Sequence, residues 1–251
     1  MNAASACSAL LTLSMALFSA QPADASTATP MTEGQRCIAG VVAELDKEWP
    51  NNTTINIVAF GHSVPAGYAA TPSVHKRDAY PRLLEDALLD SHPHAVLNVI
   101  TSAVGGENSD QGTARFNRDV LDHHPRVVLI DFGLNDRSLG PAKARSNLAG
   151  MLVKARNAGI CPVLLTPTWD TASDPSDPGD PLAVQAEMIR QLGESTQTPV
   201  VDSLAAFVAF RGVRAQLMAQ SNHPNRNGHE LVLQQLLLLF QPSLPTHVQD
   251  D

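Results

Sequence analysis

Two hydrophobic rhythms alternate along the chain. Short apolar runs rich in β-branched residues stand at 54–60, 95–101, 126–132, 161–166 and 198–202. Between them lie longer stretches whose apolar residues recur every three or four positions. The first rhythm predicts buried strands and the second amphipathic helices. A helix is expected over 34–49, where Ile38, Val41, Val42, Leu45 and Trp49 share a face and Pro50 stops the run. Another starts at Pro81, with Leu83, Leu84, Ala87 and Leu88 on its apolar side. Further helices are expected over roughly 111–123, 141–158 (closed by Gly159), 181–192, 204–218 and 228–240. The run R-V-V-L-I-D-F at 126–132 is almost uninterrupted, as a central parallel strand should be. Strand and helix alternate with short connections. That pattern predicts one α/β domain with a five-stranded parallel sheet and helices on both faces, without repeats or a second domain.

The ends read differently. Residues 1–25 have the pattern of an export signal: an apolar run, Ala9 to Ala20, too short to span a bilayer, then Ala23-Asp24-Ala25 as a small-x-small cleavage site. The leading residues carry no Lys or Arg, which departs from the usual signal. Residues 26–33 read as a flexible leader and 243–251 as a frayed tail. No later stretch is long and apolar enough for stable membrane insertion. The formal net charge of −8, with scattered Lys and Arg, argues against nucleic acid or an anionic membrane as partner. Cleavage would leave Cys37 and Cys161, which would either pair in an oxidising compartment or stay as two buried thiols. They do not make a zinc site, and no metal is expected.

Polar groups gather where the strands end, the edge at which open α/β sheets place their ligands. The first strand runs into Gly61-His62-Ser63, with Gly67 and Tyr68 following. The second is followed by A-V-G-G-E-N-S, bringing Gly105, Gly106 and Asn108. The third ends in Gly133-Leu134-Asn135-Asp136, and His223 arrives late, in N-H-P-N before the last helix. Ser63 is not in a G-x-S-x-G elbow, because Pro65 stands where the second glycine belongs. A serine nucleophile needs a base, for which histidine suits neutral pH, and an acyl-transfer transition state needs donors for its oxyanion. A glycine N–H and an asparagine amide can supply them.

In order and spacing the blocks G-H-S-x-x-x-G-Y, A-V-G-G-E-N-S, G-L-N-D and N-H-P-N resemble those of the SGNH (GDSL-type) esterases and lipases. The resemblance covers 34–242 and implies a three-layer α/β/α sandwich of flavodoxin-like type. It implies Ser63 as nucleophile, His223 as base, and Gly106 and Asn135 as oxyanion donors, with no cofactor. Two departures stand out. His62 replaces the usual aspartate before the serine, and is expected to be structural or a minor substrate contact. Gln220 occupies the place of the triad acid, three residues before the histidine. A Ser63–His223 dyad is therefore expected, oriented by the Gln220 oxygen or by a local carbonyl. Asn108 and Trp169 are candidate substrate contacts, Trp169 equally a core residue. Asp131 and Asp136 are expected to fix loops, Asp202 to cap a helix, and Arg115 and Arg118 to be helix-surface charges. His123-His124 is read as a helix end rather than a metal site. The expected substrate is a small-molecule or carbohydrate ester, with O-acetyl sugars favoured by export. Lipid or thioester hydrolysis and non-catalytic glycan binding are the alternatives.

Overall fold

In the computed structural model the described residues are 30–241, together with Met1. The export segment at 1–25, most of the leader and the 243–251 tail lie outside them. The elements run α1 (Glu33–Leu45), β1 (Thr54–Gly61), α2 (Ser63–Ala66), α3 (Tyr80–Ser91), β2 (Val96–Ala103), α4 (Ser109–Asp119), β3 (Val127–Asp131) and α5 (Pro141–Asn157). They continue with β4 (Cys161–Leu165), α6 (Pro181–Ser195), β5 (Val200–Val201), α7 (Ser203–Ala209), β6 (Met218–Gln220), β7 (His223–Pro224) and α8 (Arg226–Phe240). The main sheet is five-stranded, in the order β2-β1-β3-β4-β5. All its neighbours are parallel. This is a flavodoxin-like order, which reverses direction between β1 and β3 and opens a crevice at their carboxyl ends.

Strand alternation divides the core in two. Ile55, Ile57 and Ala59 of β1, with Val127 and Leu129 of β3, face α1, α3, α7 and α8. Val58 and Phe60, with Val128 and Ile130, face α4, α5 and much of α6. Phe60 meets Phe116 and Phe132 edge-on, at 5.6 and 5.2 Å between centroids. Local chemistry sets the helix starts. Thr32 and Asn108 close capping boxes with Gln35 and Gln111, and prolines stand in the first turns of α3, α5 and α6. Cys37 of α1 and Cys161 of β4 form a disulfide that closes a separation of 124 residues.

Three expectations change. The first helix stops at Leu45, the last residue to reach the core, and Trp49 is 84 % exposed. The helix expected over 204–218 is instead α7, a 3₁₀ turn at Arg214–Leu217 and strand β6. Gly212 lies in the break, where a helix would be weakened. Arg115 is 8 % exposed rather than a surface charge. It bonds Glu107, Asp119, Ser102 and the Gly61 carbonyl, and lies 4.2 Å over the Phe60 ring. A buried guanidinium is tolerated because its donors are satisfied this way.

Candidate active site

β1 carries the chain to the crevice and must turn within one residue. A Cβ on Gly61 would lie 2.3 Å from the Asp131 carbonyl oxygen, so only glycine lets β1 and β3 close here. The next residues form α2, a single turn with Ser63 first. His62 caps that turn by accepting the Val64 N–H on Nδ1 at 3.2 Å. This leaves the His62 proton on Nε2, which faces Asp131 Oδ1 at 3.5 Å. Tyr80 donates its hydroxyl to the other Asp131 oxygen at 3.2 Å. Burial, with Asp131 beside it, pushes the Tyr80 pKa well up and keeps it a donor. His62 is fully buried, where it caps and supports the turn that carries Ser63.

Ser63 and His223 lie 160 positions apart and meet. Ser63 Oγ is 2.9 Å from His223 Nε2, and both residues are buried. His223 Nδ1 stands 3.0 Å from the Ala69 carbonyl oxygen. A carbonyl can only accept, so Nδ1 carries the proton and Nε2 offers its lone pair to the serine hydroxyl. Burial lowers the His223 pKa, while the Ala69 bond acts the other way. The imidazole therefore rests neutral at pH 7.

Gln220 does not reach His223. Its Oε1 accepts the Thr71 N–H at 2.8 Å and its Nε2 donates to Asn222 at 3.0 Å. The hydrogen-bond acceptor on His223 Nδ1 is instead the main-chain carbonyl of Ala69.

On the other wall, the turn after β2 is held to β1 by the Val104 N–H on the Gly61 carbonyl, at 3.1 Å. Gly106 has φ 82°, a conformation that glycine reaches without strain. Its N–H has no hydrogen-bond acceptor among the described residues. Asn135 Nδ2 donates to the Glu107 carbonyl at 2.8 Å, tying the β3 end to that turn. Asp136 is fully buried and accepts the Ser109 N–H at 2.7 Å; burial raises its pKa to about 6.

Asn108 caps α4, its Oδ1 accepting the Asp110 N–H at 3.0 Å. Trp169 is half-buried, packs against the core, donates to the Ser173 carbonyl at 3.3 Å and lies under the Arg214 guanidinium at 5.2 Å. That placement favours a loop brace over a substrate platform. Asp202 caps α7 and pairs with Arg190. No cluster of metal-binding side chains occurs among the described residues.

Two groups escaped the sequence. The Ala69 carbonyl has no side chain to announce it. Tyr68 leans on the turn after β2, where a Cβ on Gly105 would meet its ring and hydroxyl at 3.0 Å, and its ring centroid is 5.8 Å from that of His223. The G-Y pair in the first block was its one signal.

Residues 59–231 match the GDSL-like Lipase/Acylhydrolase family. An uncharacterised lipoprotein of Bacillus subtilis is 29% identical over 120 residues, 44% of this chain and 47% of that protein. An arylesterase of Vibrio mimicus is 32% identical over 111 residues, 43% of this chain and 52% of the other. The thioesterase 1/protease 1/lysophospholipase L1 of Escherichia coli is 30% identical over 111 residues, 43% and 49% of the two chains. The chain thus matches about half the length of these curated relatives. Among solved structures, an acetylxylan esterase of Geobacillus stearothermophilus superposes with TM-score 0.64 at 20% identity, covering 74% of this chain and 94% of that one. A lipase/acylhydrolase of Enterococcus faecalis gives 0.62 at 24%, covering 73% and 94%. These two likenesses establish the shared fold.

Proposed function

This chain belongs to the GDSL-like Lipase/Acylhydrolase family, and from that premise we propose that it is a serine esterase working through Ser63 and His223. The observation that carries the reading is the 2.9 Å contact between Ser63 Oγ and an imidazole nitrogen whose lone pair is fixed by its partner on the far side. Ser63 Oγ attacks the acyl carbonyl carbon as its proton passes to His223 Nε2. The carbonyl electron pair moves to oxygen, where the N–H groups of Ser63 and Gly106 and the Asn135 amide receive it. The pair returns, the alkoxide leaves with the proton from Nε2, and an acyl-serine remains. Water, giving its proton to Nε2, repeats the sequence in reverse and releases the acid. The oxyanion donors come from α2, the turn after β2 and the end of β3, elements already tied together around Gly61 and Glu107.

The substrate we propose is a short-chain ester, with O-acetyl groups on carbohydrate as the leading class. Tyr68 stands between the turn after β2 and the His223 ring, where its side chain would limit the room for a long acyl chain. The acetylxylan esterase with the same fold gives a precedent for acetyl removal on this scaffold. Export fits the sequence of the first 25 residues, the Cys37–Cys161 disulfide and the lipoprotein relative. Among the described residues no helix is long and apolar enough to cross a membrane. The test is p-nitrophenyl acetate cleavage by the wild type and Ser63→Ala, followed by acetate against octanoate esters and acetylated xylan. Serine-dependent cleavage that declines with chain length is expected. Cleavage unaffected by Ser63→Ala would end the reading.

A further inference from the structure

Gln220 and His223 are directly paired across the β6–β7 hairpin. Directly opposed residues of an antiparallel pair present their side chains to the same side. Both side chains reach the segment 68–75. His223 Nδ1 donates to the Ala69 carbonyl at 3.0 Å, and Gln220 Oε1 accepts the Thr71 N–H at 2.8 Å. Among the described residues these are the two hydrogen bonds that join that segment to the hairpin. Elsewhere the segment is held by the Ala69 N–H on Ser73, the Ser73 N–H on Ala70, the His75 N–H on Gly67 and, at its start, the Tyr68 N–H on the Ser63 carbonyl at 3.0 Å. It behaves as a small unit carrying one functional acceptor, the Ala69 oxygen. The Gln220 amide is fixed in turn, its NH₂ donating to Asn222 Oδ1 at 3.0 Å. That bond orients the amide with oxygen toward Thr71.

We infer that Gln220 is a positioning residue for the base. By gripping Thr71 it holds the Ala69 carbonyl at hydrogen-bond distance from His223 Nδ1, and so fixes the imidazole tautomer and aim without touching the imidazole. A side chain standing where related enzymes carry an acid thus works here at one remove, through two residues of backbone. The inference rests on the Ser63–His223 reading. The Thr71 contact is partly open to water, so its loss loosens the carbonyl rather than expelling it. Small misplacements of a catalytic group give rate losses of up to about 100-fold, and a loosened contact should give about 5- to 50-fold. The groups facing His223 are Ser63, the Ala69 carbonyl, Tyr68, His62 and His229. Of these the Ala69 bond is the one that raises its affinity for a proton, so loosening it moves the titration to lower pH.

The experiment measures kcat, KM and the pH dependence of kcat/KM with p-nitrophenyl acetate for Gln220→Ala, Gln220→Met and Gln220→Glu, beside Ser63→Ala, with melting temperatures to verify folding. Methionine fills the space without an acceptor; glutamate keeps an oxygen for the Thr71 N–H. The alanine and methionine variants should lose kcat by about 5- to 50-fold with KM within about twofold, and their acid limb should move down in pH. Glutamate should restore kcat to within about threefold and return the limb to its wild-type position or above it, because the added carboxylate also favours the protonated imidazole. Wild-type kcat and limb in folded Gln220→Ala and Gln220→Met, with Ser63→Ala inactive, would overturn the inference alone. So would a fall in kcat with the limb unmoved and no recovery by glutamate. Full activity in Ser63→Ala would overturn the esterase reading beneath it.

Discussion

The most quantitative consequence of the fold concerns His229, a buried histidine outside the reaction. It lies on α8, 2 % exposed, and its Nδ1 accepts the Tyr80 N–H at 3.2 Å. Burial lowers its pKa from 6.5 to about 3. The sign follows from linkage: between those values the unfolded chain binds a proton that the native state refuses, so stability falls as pH drops from about 6.5 toward 3. At about 1.4 kcal/mol per pH unit, the loss from pH 7 to pH 4.5 is about 2.7 kcal/mol. Asp136 works in the opposite direction. Its native pKa of about 6 lies above the ordinary aspartate value of 3.8, so the folded state holds an extra proton in that window. Acidification there adds stability, about 2 kcal/mol by pH 4.5. The wild-type profile should therefore be deceptively flat. His229→Asn removes one side of the balance, since its Oδ1 can still accept the Tyr80 N–H while nothing titrates. Urea unfolding of both proteins at pH 7 and pH 4.5 isolates the histidine. The variant should be the weaker at pH 7 and gain about 2.5–3 kcal/mol on the wild type by pH 4.5. Parallel profiles, within about 0.5 kcal/mol, would refute the reasoning.

Removing the Asn135 amide with alanine should lower kcat by about 100- to 1000-fold with little change in KM; a loss under about threefold in the p-nitrophenyl acetate assay would remove it from the oxyanion site. Tyr68→Ala should raise the octanoate-to-acetate ratio of kcat/KM by about tenfold or more, as each added methylene finds room, and an unchanged chain-length profile would show that Tyr68 does not bound the acyl space. Reducing the Cys37–Cys161 bridge, which closes a separation of 124 residues, should lower stability by about 4–5 kcal/mol and the melting temperature by about 10–20 °C. A melt that does not move when alkylation shows both thiols free would contradict that.

The sheet was legible because β1 and β3 carry apolar side chains on both faces, which no surface element tolerates. Three of the four polar blocks were legible because they follow the ends of β1, β2 and β3, where the fold converges them. The hairpin β6–β7 was not. Its strands have 3 and 2 residues, too short for an alternation to register, and the preceding apolar positions imitate a helix. Which carbonyl orients His223 escaped for a different reason. Every residue but proline has the same N–H and C=O, so a main-chain acceptor leaves no mark in a sequence. The glutamine did leave one, and it stood as one of two candidates for direct contact, because spacing says which side chain is near and not which atom it holds. Arg115 looked like surface charge because its partners come from 61, 102, 107 and 119, a neighbourhood that exists only after folding.

The central claim is that the Ser63 hydroxyl is made nucleophilic by the imidazole across from it. Intact-mass analysis after reaction with a fluorophosphonate, with peptide mapping, measures this directly because the reagent traps the nucleophile covalently. The account predicts one adduct, on Ser63, absent from Ser63→Ala and formed far more slowly in His223→Ala. An adduct mapping elsewhere, or undiminished labelling in Ser63→Ala, would contradict it.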